Sequence, residues 1–161
     1  MRKIQTNLEG KKQILFYSRG SDYGWFSNFE RSFQIVDNIV YRTNEHYYQS
    51  KKANNEEIEV WIRRAPNPFL AMKAGRSLRK KEMIKNWDDI KVEVMLKGLR
   101  AKFLNDTKYQ SNRLALKLLA TGDATLHENS PTDMFWGIKG SDWLGKLLMQ
   151  VREELRSNEN I

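Results

Sequence analysis

The sequence contains no cysteine, only two histidines and only three prolines. Without cysteine, the chain cannot build a disulfide, a thiolate nucleophile or a cysteine-based zinc site. His46 and His127 are too far apart in the sequence to indicate a metal-binding pair. We therefore expect no cofactor and no metal centre, and a carboxylate-bound Mg²⁺ is the one alternative that stays open.

Long apolar segments are also missing. No run approaches the ~18 apolar residues of a membrane-spanning helix, and residues 1–12 lack the apolar segment of a signal peptide. Of the 161 residues, 40% are apolar and 30% are charged, which is typical of a soluble globular protein. The sequence predicts one domain over residues 1–161, located in the cytoplasm, with no membrane partner.

The net charge of +8 is concentrated in one quarter of the chain. Residues 63–102 contain 12 Lys or Arg against four acids, whereas the remainder contains 16 of each. A local field of this kind attracts the phosphates of a nucleotide or of a nucleic acid. A solvated face without a ligand is the alternative.

Several catalytic motifs are absent as well. The sequence has no G-x-S-x-G elbow, no phosphate-binding P-loop and no G-x-G-x-x-G. Carboxylates, aromatic rings and basic side chains remain. This set suits hydrolysis of the N-glycosidic bond of a phosphorylated riboside, because a carboxylate can stabilise a ribosyl cation while rings hold the base and cations hold the phosphate.

Periodicity predicts an α+β fold that is predominantly helical, with a small antiparallel sheet near the N-terminus and about six helices. The strands are expected at residues 13–17 and 32–41, the latter with Asp37-Asn38 as a two-residue hairpin turn. The helices are expected from Thr43 onward, over 56–65, after Asn67-Pro68, from Asp88, over 111–120 and over 143–156. In the second of these, Ile58, Trp61, Ile62 and Ala65 are expected on one face. Asn67 is expected to cap the third helix, with Pro68 in its first turn.

Residues 41–53, Y-R-T-N-E-H-Y-Y-Q-S-K-K-A, combine a helix start with an acid and three tyrosines. Thr43 or Asn44 can cap the free amides of a first turn that contains Glu45. The helix dipole favours negative charge there, so Glu45 is explained simply as a solvated acid. Because 10 of the 18 aromatic residues lie within residues 16–48, a carboxylate facing a ring-lined pocket is the alternative.

Two loops mix aromatic with polar residues. Residues 23–29, Y-G-W-F-S-N-F, either cap the core or form a wall where rings stack on a planar base. Residues 127–137, H-E-N-S-P-T-D-M-F-W-G, are of a type that carries function more often than packing. For Ser130 and Asp133, the alternative is ordinary turn chemistry around Pro131, with Asp133 as an N-cap.

Six motifs, in order over roughly residues 13–156, closely resemble the YbiA-like, or NADAR, family. They are S-N-F (27–29), Tyr41 with T-N-E-H-Y-Y-Q (43–49) and Lys51, R-A-K-F (100–103), L-L-A-T-G-D (118–123), L-H-E-N-S-P-T-D-M-F-W-G (126–137) and L-G-K-L-L-M-Q-V-R-E-E-L-R (144–156). The resemblance implies a compact, largely helical domain associated with NAD and ADP-ribose metabolism. Bacterial members include an N-glycosidase of phosphoribosylated riboflavin intermediates, and others remove ADP-ribose from guanine in nucleic acid.

The resemblance also implies a set of site residues. The glutamate of the family's E-H-Y-x-Q motif is implicated in catalysis and matches Glu45. Glu128 is expected as a second catalytic carboxylate, with Asp123 and Asp133 as alternatives. The expected substrate-binding residues are Asn28, Phe29, Tyr41, Tyr48, Gln49, Lys51, Lys102, Asp133, Trp136 and Gly137. The sequence departs from some relatives in loop 136–145, where Asp142-Trp143 replaces an Asn-Arg pair.

Three functions stay open at this point. The first is hydrolysis of the C1–N bond of a phosphorylated riboside, such as a phosphoribosylaminopyrimidine of riboflavin biosynthesis. The second is removal of ADP-ribose from guanine in DNA or RNA, which needs a basic surface of the kind that residues 63–102 offer. The third is a non-catalytic ADP-ribose-binding module, which would not require Glu45.

Overall fold

The computed structural model describes residues 4–18, 20–104 and 113–159. Within these ranges, six α-helices, two short 3-10 turns and two small sheets confirm the predominantly helical α+β class. The helices are α1 (Asn44–Ser50), α2 (Glu56–Arg63), α3 (Pro68–Ser77), α4 (Trp87–Phe103), α5 (Arg113–Leu119) and α6 (Trp143–Glu159). The strands are β1 (Gln5–Thr6), β2 (Lys12–Phe16), β3 (Arg31–Val36), β4 (Ile39–Thr43) and β5 (Thr125–Glu128).

The chain folds into two compact units. The first unit combines the N-terminal segment up to Glu30 with the segment from α5 to α6, and the second runs from Arg31 through α4. A single domain over the whole chain stays a prediction. Among the described residues, no helix is both long enough and apolar enough to cross a membrane.

In the second unit, β3 and β4 form the predicted antiparallel hairpin. Both turn residues adopt the left-handed conformation, with φ of 50° at Asp37 and 63° at Asn38. This is the geometry of the two-residue turn whose twist matches that of the flanking strands, and Asp and Asn tolerate it better than most residues do. Because β4 continues directly into α1, the hairpin fixes where Glu45 lies.

Side-chain caps define the starts of three helices in the second unit. Thr43, one of the two residues predicted for this role, accepts a hydrogen bond from the backbone N–H of His46 and begins α1. Asn55 caps α2 in the same way, and Asn67 caps α3 with Pro68 as the first helical residue, as predicted. Such caps each stabilise a helix by ~1 kcal/mol.

All seven residues of α1 are buried, which is unusual for a helix with so many polar side chains. It packs on α4 at Gly98, where a β-carbon would collide with Asn44 Oδ1 and the Tyr47 ring. Tyr47 also belongs to a core cluster with Tyr41 and neighbouring aliphatic residues. The close approach at glycine explains how a short helix becomes the centre of the unit.

The prediction for α2 was wrong in one respect. Ile62 and Ala65 are buried in a cluster with Ala71 of α3, and Ile58 packs against it. Trp61, which was expected on this apolar face, is 57% exposed instead. The buried side of α2 is therefore narrower than predicted and does not include the indole.

In the first unit, β2 pairs with β1 in antiparallel and with β5 in parallel orientation. The sequence did not predict β5. Phe16 at the end of β2 packs edge-on against Phe26, with ring centroids 5.6 Å apart. Arg152 of α6 is buried and donates hydrogen bonds to Thr121 Oγ1 at 2.9 Å and Ala124 O at 2.7 Å, which secures the segment before β5.

Candidate active site

One face of α1 carries a polar cluster. Residues separated by three, four and seven positions lie on the same side of a helix, so Glu45, Tyr48 and Gln49 line one face of α1, and Lys52, two residues past its last residue, continues that face. Asn44, Tyr47 and the following Lys51 lie on another side. We call the first set the Glu45 face.

Glu45 is buried, with 6% of its surface exposed. Gln49 Nε2 donates a hydrogen bond to Glu45 Oε1 at 2.7 Å. A β-carbon at Gly75 of α3 would collide with the Gln49 amide, so the glycine leaves the space in which this amide lies. The carboxylate therefore has a fixed orientation, which rests on the packing of α3 against α1.

Lys52 is the cation of the Glu45 face. Its Nζ lies 5.4 Å from the centroid of the Tyr48 ring and 5.7 Å from that of Trp87. These two rings tilt against each other with centroids 5.0 Å apart. Burial lowers the pKa of Lys52, and the negative charge of Glu45 opposes this only in part. The ammonium is thus half-buried, enclosed by rings and within the electric field of the carboxylate.

Further charged groups surround Lys52. Arg76 of α3 and Lys91 of α4 lower its pKa further, whereas Asp88 raises it. Lys91 Nζ also forms an ion pair with Asp88 at 2.8 Å. The buried carboxylate therefore lies beside a group of three cations, an arrangement that can bind an anionic group next to a buried negative charge.

The opposite side of α1 holds two of the predicted substrate-binding residues in a closed cluster. Lys51 Nζ contacts Glu59 Oε1 at 2.6 Å, and the Tyr41 hydroxyl donates to the same oxygen at 3.3 Å. Tyr41 packs edge-on against Tyr47, with centroids 5.2 Å apart. Burial lowers the pKa of Lys51, but the hydrogen bond to Glu59, the contacts with Tyr41 and the charge of Glu59 together outweigh burial, so the pKa is raised.

His46 joins α1 to the end of α2. Its Nε2 lies 3.1 Å from Ala65 O and its Nδ1 lies 2.8 Å from Thr43 Oγ1. A neutral ring with its proton on Nε2 satisfies both contacts, with the Thr43 hydroxyl donating to Nδ1. Burial lowers the pKa of His46, so the neutral form prevails at neutral pH.

Lys102, another predicted binding residue, is fully buried in α4. Its Nζ lies 5.1 Å from the centroid of the Phe103 ring. Its role in binding stays a prediction, because a buried ammonium of this kind fits both a substrate contact and a structural one.

The remaining predicted residues lie in the first unit. Asn28 and Phe29 are half-buried at the end of loop 23–29, where Phe29 N–H donates to Ser27 Oγ at 3.2 Å. In the same loop, the rings of Tyr23 and Phe26 are buried and stack with centroids 6.0 Å apart. These two rings therefore fit the interpretation of loop 23–29 as a cap on the core.

Loop 127–137 has extensive turn chemistry. Asp133 Oδ1 accepts from the backbone N–H groups of Phe135 and Trp136 at 2.9 and 2.7 Å. Ser130 Oγ accepts from Asp133 N at 3.0 Å, and Gly137 is buried. Asp133 thus fits the structural alternative, and binding by Asp133, Trp136 and Gly137 stays a prediction.

Glu128 is half-buried at the end of β5, where it pairs in register with Phe16. Its backbone carbonyl accepts from the N–H of Ile138 at 2.8 Å. Asp123, the alternative second carboxylate, forms an ion pair with Arg156 at 2.9 Å. A second catalytic role for Glu128 stays a prediction. Among the described residues, no group of three or more His, Asp or Glu side chains could hold a metal ion.

Sequence reasoning missed Lys52, Trp87 and Arg76. The spacing of Lys52 from Glu45 was a readable signal, because seven residues make about two helical turns. Trp87 and Arg76 come from α4 and α3, and only the packing of these helices on α1 reveals them.

Comparison with known proteins gives consistent results. A family model described as NADAR domain matches residues 15–156. The chain is 43% identical over 146 residues to N-glycosidase YbiA of Escherichia coli (strain K12), covering 88% of each protein. It is 36% identical over 159 residues to a riboflavin biosynthesis protein of Vibrio vulnificus (strain YJ016), covering 96% of this chain and 41% of that protein. The NMR structure of the Escherichia coli protein YbiA matches with a TM-score of 0.81 and 40% identity, covering 98% of this chain and 92% of that one.

Proposed function

The chain belongs to the NADAR domain family, and from that premise we propose that it hydrolyses the C1–N bond of a phosphorylated riboside, with phosphoribosylaminopyrimidines of riboflavin biosynthesis as the substrate class. The relatives named N-glycosidase make the chain a hydrolase of N-glycosidic bonds. The relative named for riboflavin biosynthesis supports the substrate class. The observation that carries the proposal is a buried, oriented carboxylate on the Glu45 face, beside the cations Lys52, Arg76 and Lys91.

Glu45 performs the central step. As the ribosyl C1–N bond breaks, its electron pair leaves with the nitrogen and positive charge develops at C1. A carboxylate held close by stabilises that charge and takes a proton from the water whose oxygen forms the new bond to C1. The hydrogen bond from Gln49 Nε2 holds the carboxylate in one orientation for this step.

Lys52 supplies the proton that the leaving nitrogen needs. Its lowered pKa makes the ammonium a stronger acid than an exposed lysine would be. Tyr48 and Trp87, whose rings enclose Nζ, offer apolar surface for the leaving base. Arg76 and Lys91 remain to bind the 5-phosphate, a task that suits charged donors.

The decisive experiment incubates the pure protein with a phosphoribosylaminopyrimidine and measures release of ribose 5-phosphate. We expect turnover that a chelator does not reduce, because the proposed step uses only side chains. The Glu45→Gln variant serves as the control for contaminating activity. Turnover that vanishes on chelation and returns with Mg²⁺ would overturn the metal-independent mechanism, and no turnover of this substrate would overturn the substrate class.

A second candidate substrate is ADP-ribosylated guanine in nucleic acid. The observation that favours it is the stretch 63–81, which contains seven Lys or Arg and no Asp or Glu. The chemistry at C1 would be the same, and only the leaving base and the attached strand differ. Incubation with an oligonucleotide carrying ADP-ribosylated guanine separates the two, since release of ADP-ribose in place of ribose 5-phosphate would favour this substrate. Tight binding of ADP-ribose without turnover of either substrate would indicate the third alternative, a binding module.

A further inference from the structure

A groove of about 410 Å³ lies between the outer sides of α2 and α3. It is lined by Trp61, Ala65, Pro66, Leu70, Lys73, Ala74 and Ser77. Trp61 is 57% exposed and Leu70 is 41% exposed, so the largest apolar side chains of the groove face solvent. We call this the Trp61 groove. Its volume falls within the ~300–1,000 Å³ that is usual for small-molecule sites.

The exposed indole has no role in the core of this unit. The inner side of α2 already buries Ile62 against Ala65 and Ala71. Trp61 lies on the outer side, beside the small side chains of Ala74 and Ser77. An exposed tryptophan next to open space offers a flat apolar surface to a partner, because its ring can stack without any rearrangement of the core.

The segment that supplies six of the seven lining residues is positively charged, whereas Trp61 itself follows the acidic first turn of α2. Residues 63–81 contain seven cations and no acid, and two of these cations are exposed here: Lys73 in the lining itself, and Arg64 next in sequence to Ala65 of the lining. Lys73 lines the groove directly, and its Nζ lies 4.9 Å from the ring centroid of Phe69. Phe69 is itself about half exposed. The groove therefore combines aromatic surface with cations along one side.

We propose that the Trp61 groove binds single-stranded nucleic acid, with an unpaired base stacked on the indole of Trp61 and the adjoining phosphates on Lys73 and Arg64. Aromatic platforms beside cationic tracks bind single strands in this way and accept any base, because every base has a π-face. Neither stacking nor phosphate contacts read the 2′-hydroxyl, so DNA and RNA strands are expected to bind alike. The site is separate from the Glu45 face and does not depend on which riboside is cleaved.

Charge complementarity favours a nucleic acid over a protein partner. An amphipathic helix needs a row of apolar anchors at helical spacing. The groove offers only Trp61, Pro66 and Leu70 among small side chains, and cations stand beside them. A second copy of the same face would bring like charges together, which is unfavourable.

Fluorescence anisotropy with a labelled 12-nucleotide oligodeoxythymidine tests the proposal on the full chain. We expect Trp61→Ala to weaken binding by about 10-fold, the scale typical of losing one stacked base. Tyr17→Ala, which removes a partly exposed ring in the other unit, is the matched control and should leave the affinity unchanged. Lys73→Glu should weaken binding and make it less dependent on salt, whereas Lys12→Glu, with the same change in net charge, should not.

Four outcomes would overturn the proposal. They are no binding of the wild type, equal affinity of Trp61→Ala and wild type, equal losses in Lys73→Glu and Lys12→Glu, and binding of a 12-base-pair duplex as tight as that of the single strand. Tighter binding of an acidic peptide of matched charge at the same residues would assign the groove to a protein partner instead.

Two further measurements keep the result independent of folding and of catalysis. If Trp61→Ala fails to fold, Ser77→Leu fills the groove from the end of α3 and should weaken binding with the indole still present. Hydrolysis of a free riboside should be unchanged in both variants, since neither residue contacts the Glu45 face. A variant that lost riboside hydrolysis but still bound the oligonucleotide would contradict the separation of the two sites. If the wild type proved to have no hydrolase activity, the measured binding of the oligonucleotide would still hold.

Discussion

Two lysines on different sides of α1 each lie near a glutamate, and the two pairs differ in their contacts and in the direction of the lysine pKa shift. Lys51 touches Glu59 at 2.6 Å, and its pKa is raised. Lys52 lies against the rings of Tyr48 and Trp87, and its pKa is lowered. Lys51 donates a hydrogen bond to Glu59, whereas Glu45 acts on Lys52 through its charge.

We infer from this difference that one pair has a structural role and the other a chemical one. In the first pair, the ammonium and carboxylate satisfy each other, and the Tyr41 hydroxyl joins them. A closed pair contributes to stability and has little left to offer a substrate. In the second pair, Glu45 and Lys52 influence each other through their charges, which can also act on a reacting molecule beside them. We interpret the Glu45 face as the reactive one and the Lys51 side as its support.

The largest effect is expected from Glu45→Gln. Glutamine can still accept the hydrogen bond from Gln49 Nε2, so the fold should survive, but a neutral amide neither stabilises charge at C1 nor takes a proton from water. Turnover should fall by roughly 100-fold or more, measured as release of ribose 5-phosphate at saturating substrate. Thermal unfolding of the variant provides the control. A folded variant with near-normal turnover would return Glu45 to the role of a helix-start acid and move the search to Glu128.

The second test compares the two lysines directly. Lys52→Met should lower kcat by roughly 10- to 100-fold, because the proton donor is lost while the alkyl chain is retained. Lys51→Met should leave kcat nearly unchanged and reduce the free energy of unfolding by about 1 kcal/mol, since a partly exposed ion pair is lost. Steady-state kinetics and urea unfolding of both variants check this. If Lys51→Met lost activity and Lys52→Met did not, the assignment of the two sides would be reversed.

The third test uses the glycines that support each side of α1. Gly75→Ala should displace the Gln49 amide and lower turnover by about 10-fold, because Glu45 loses its orientation. Gly98→Ala should act on stability, because its methyl group collides with Asn44 and the Tyr47 ring; overpacking costs ~1–3 kcal/mol, which exceeds the ~1 kcal/mol that alanine gains in a helix.

Gly20→Ala is the matched control for these two variants, since a β-carbon at Gly20 meets nothing within 4 Å. It should change neither turnover nor stability. Full activity in Gly75→Ala, with the amide of Gln49 displaced, would show that the orientation of Glu45 does not depend on Gln49.

The smallest effect concerns pH. Burial lowers the pKa of His46 below its ordinary value of 6.5, so the unfolded chain binds a proton more readily than the folded one. The stability from this group is complete above pH 6.5 and is lost progressively as the pH falls below that value toward the folded-state pKa. Urea unfolding at pH 8 and pH 5.5 measures the loss, and His46→Gln should make it smaller. An unchanged pH dependence in the variant would assign the loss to other groups.

Local sequence signals predicted much of the second unit. The hairpin turn at Asp37-Asn38 and the caps at Thr43 and Asn67 follow from short-range chemistry, in which neighbouring side chains satisfy backbone groups. The position of Glu45 in the first turn of α1 follows in the same way. The family resemblance then supplied the expectation that this carboxylate is catalytic.

The parallel pairing of β2 with β5 was not predictable from these signals. Residues 13–16 align with residues 125–128 across more than a hundred positions of chain. A strand of four residues carries too little periodicity to be distinguished from a loop. Residues 125–128 become a strand only through their pairing with β2.

The sequence alone determined that a helix starts at Thr43 or Asn44, that Glu45 lies in its first turn and that the excess positive charge lies within residues 63–102. Helical spacing places Lys52 on the side of Glu45 and Lys51 about 100° away from it, but the sequence could not show what surrounds either lysine. The tertiary structure decided it: Glu59 closes around Lys51, Tyr48 and Trp87 enclose Lys52, and Gly75 lets α3 hold Gln49 against Glu45. Backbone capping acts over a few residues of one segment, whereas the surroundings of a charge are set by whichever helices pack on it.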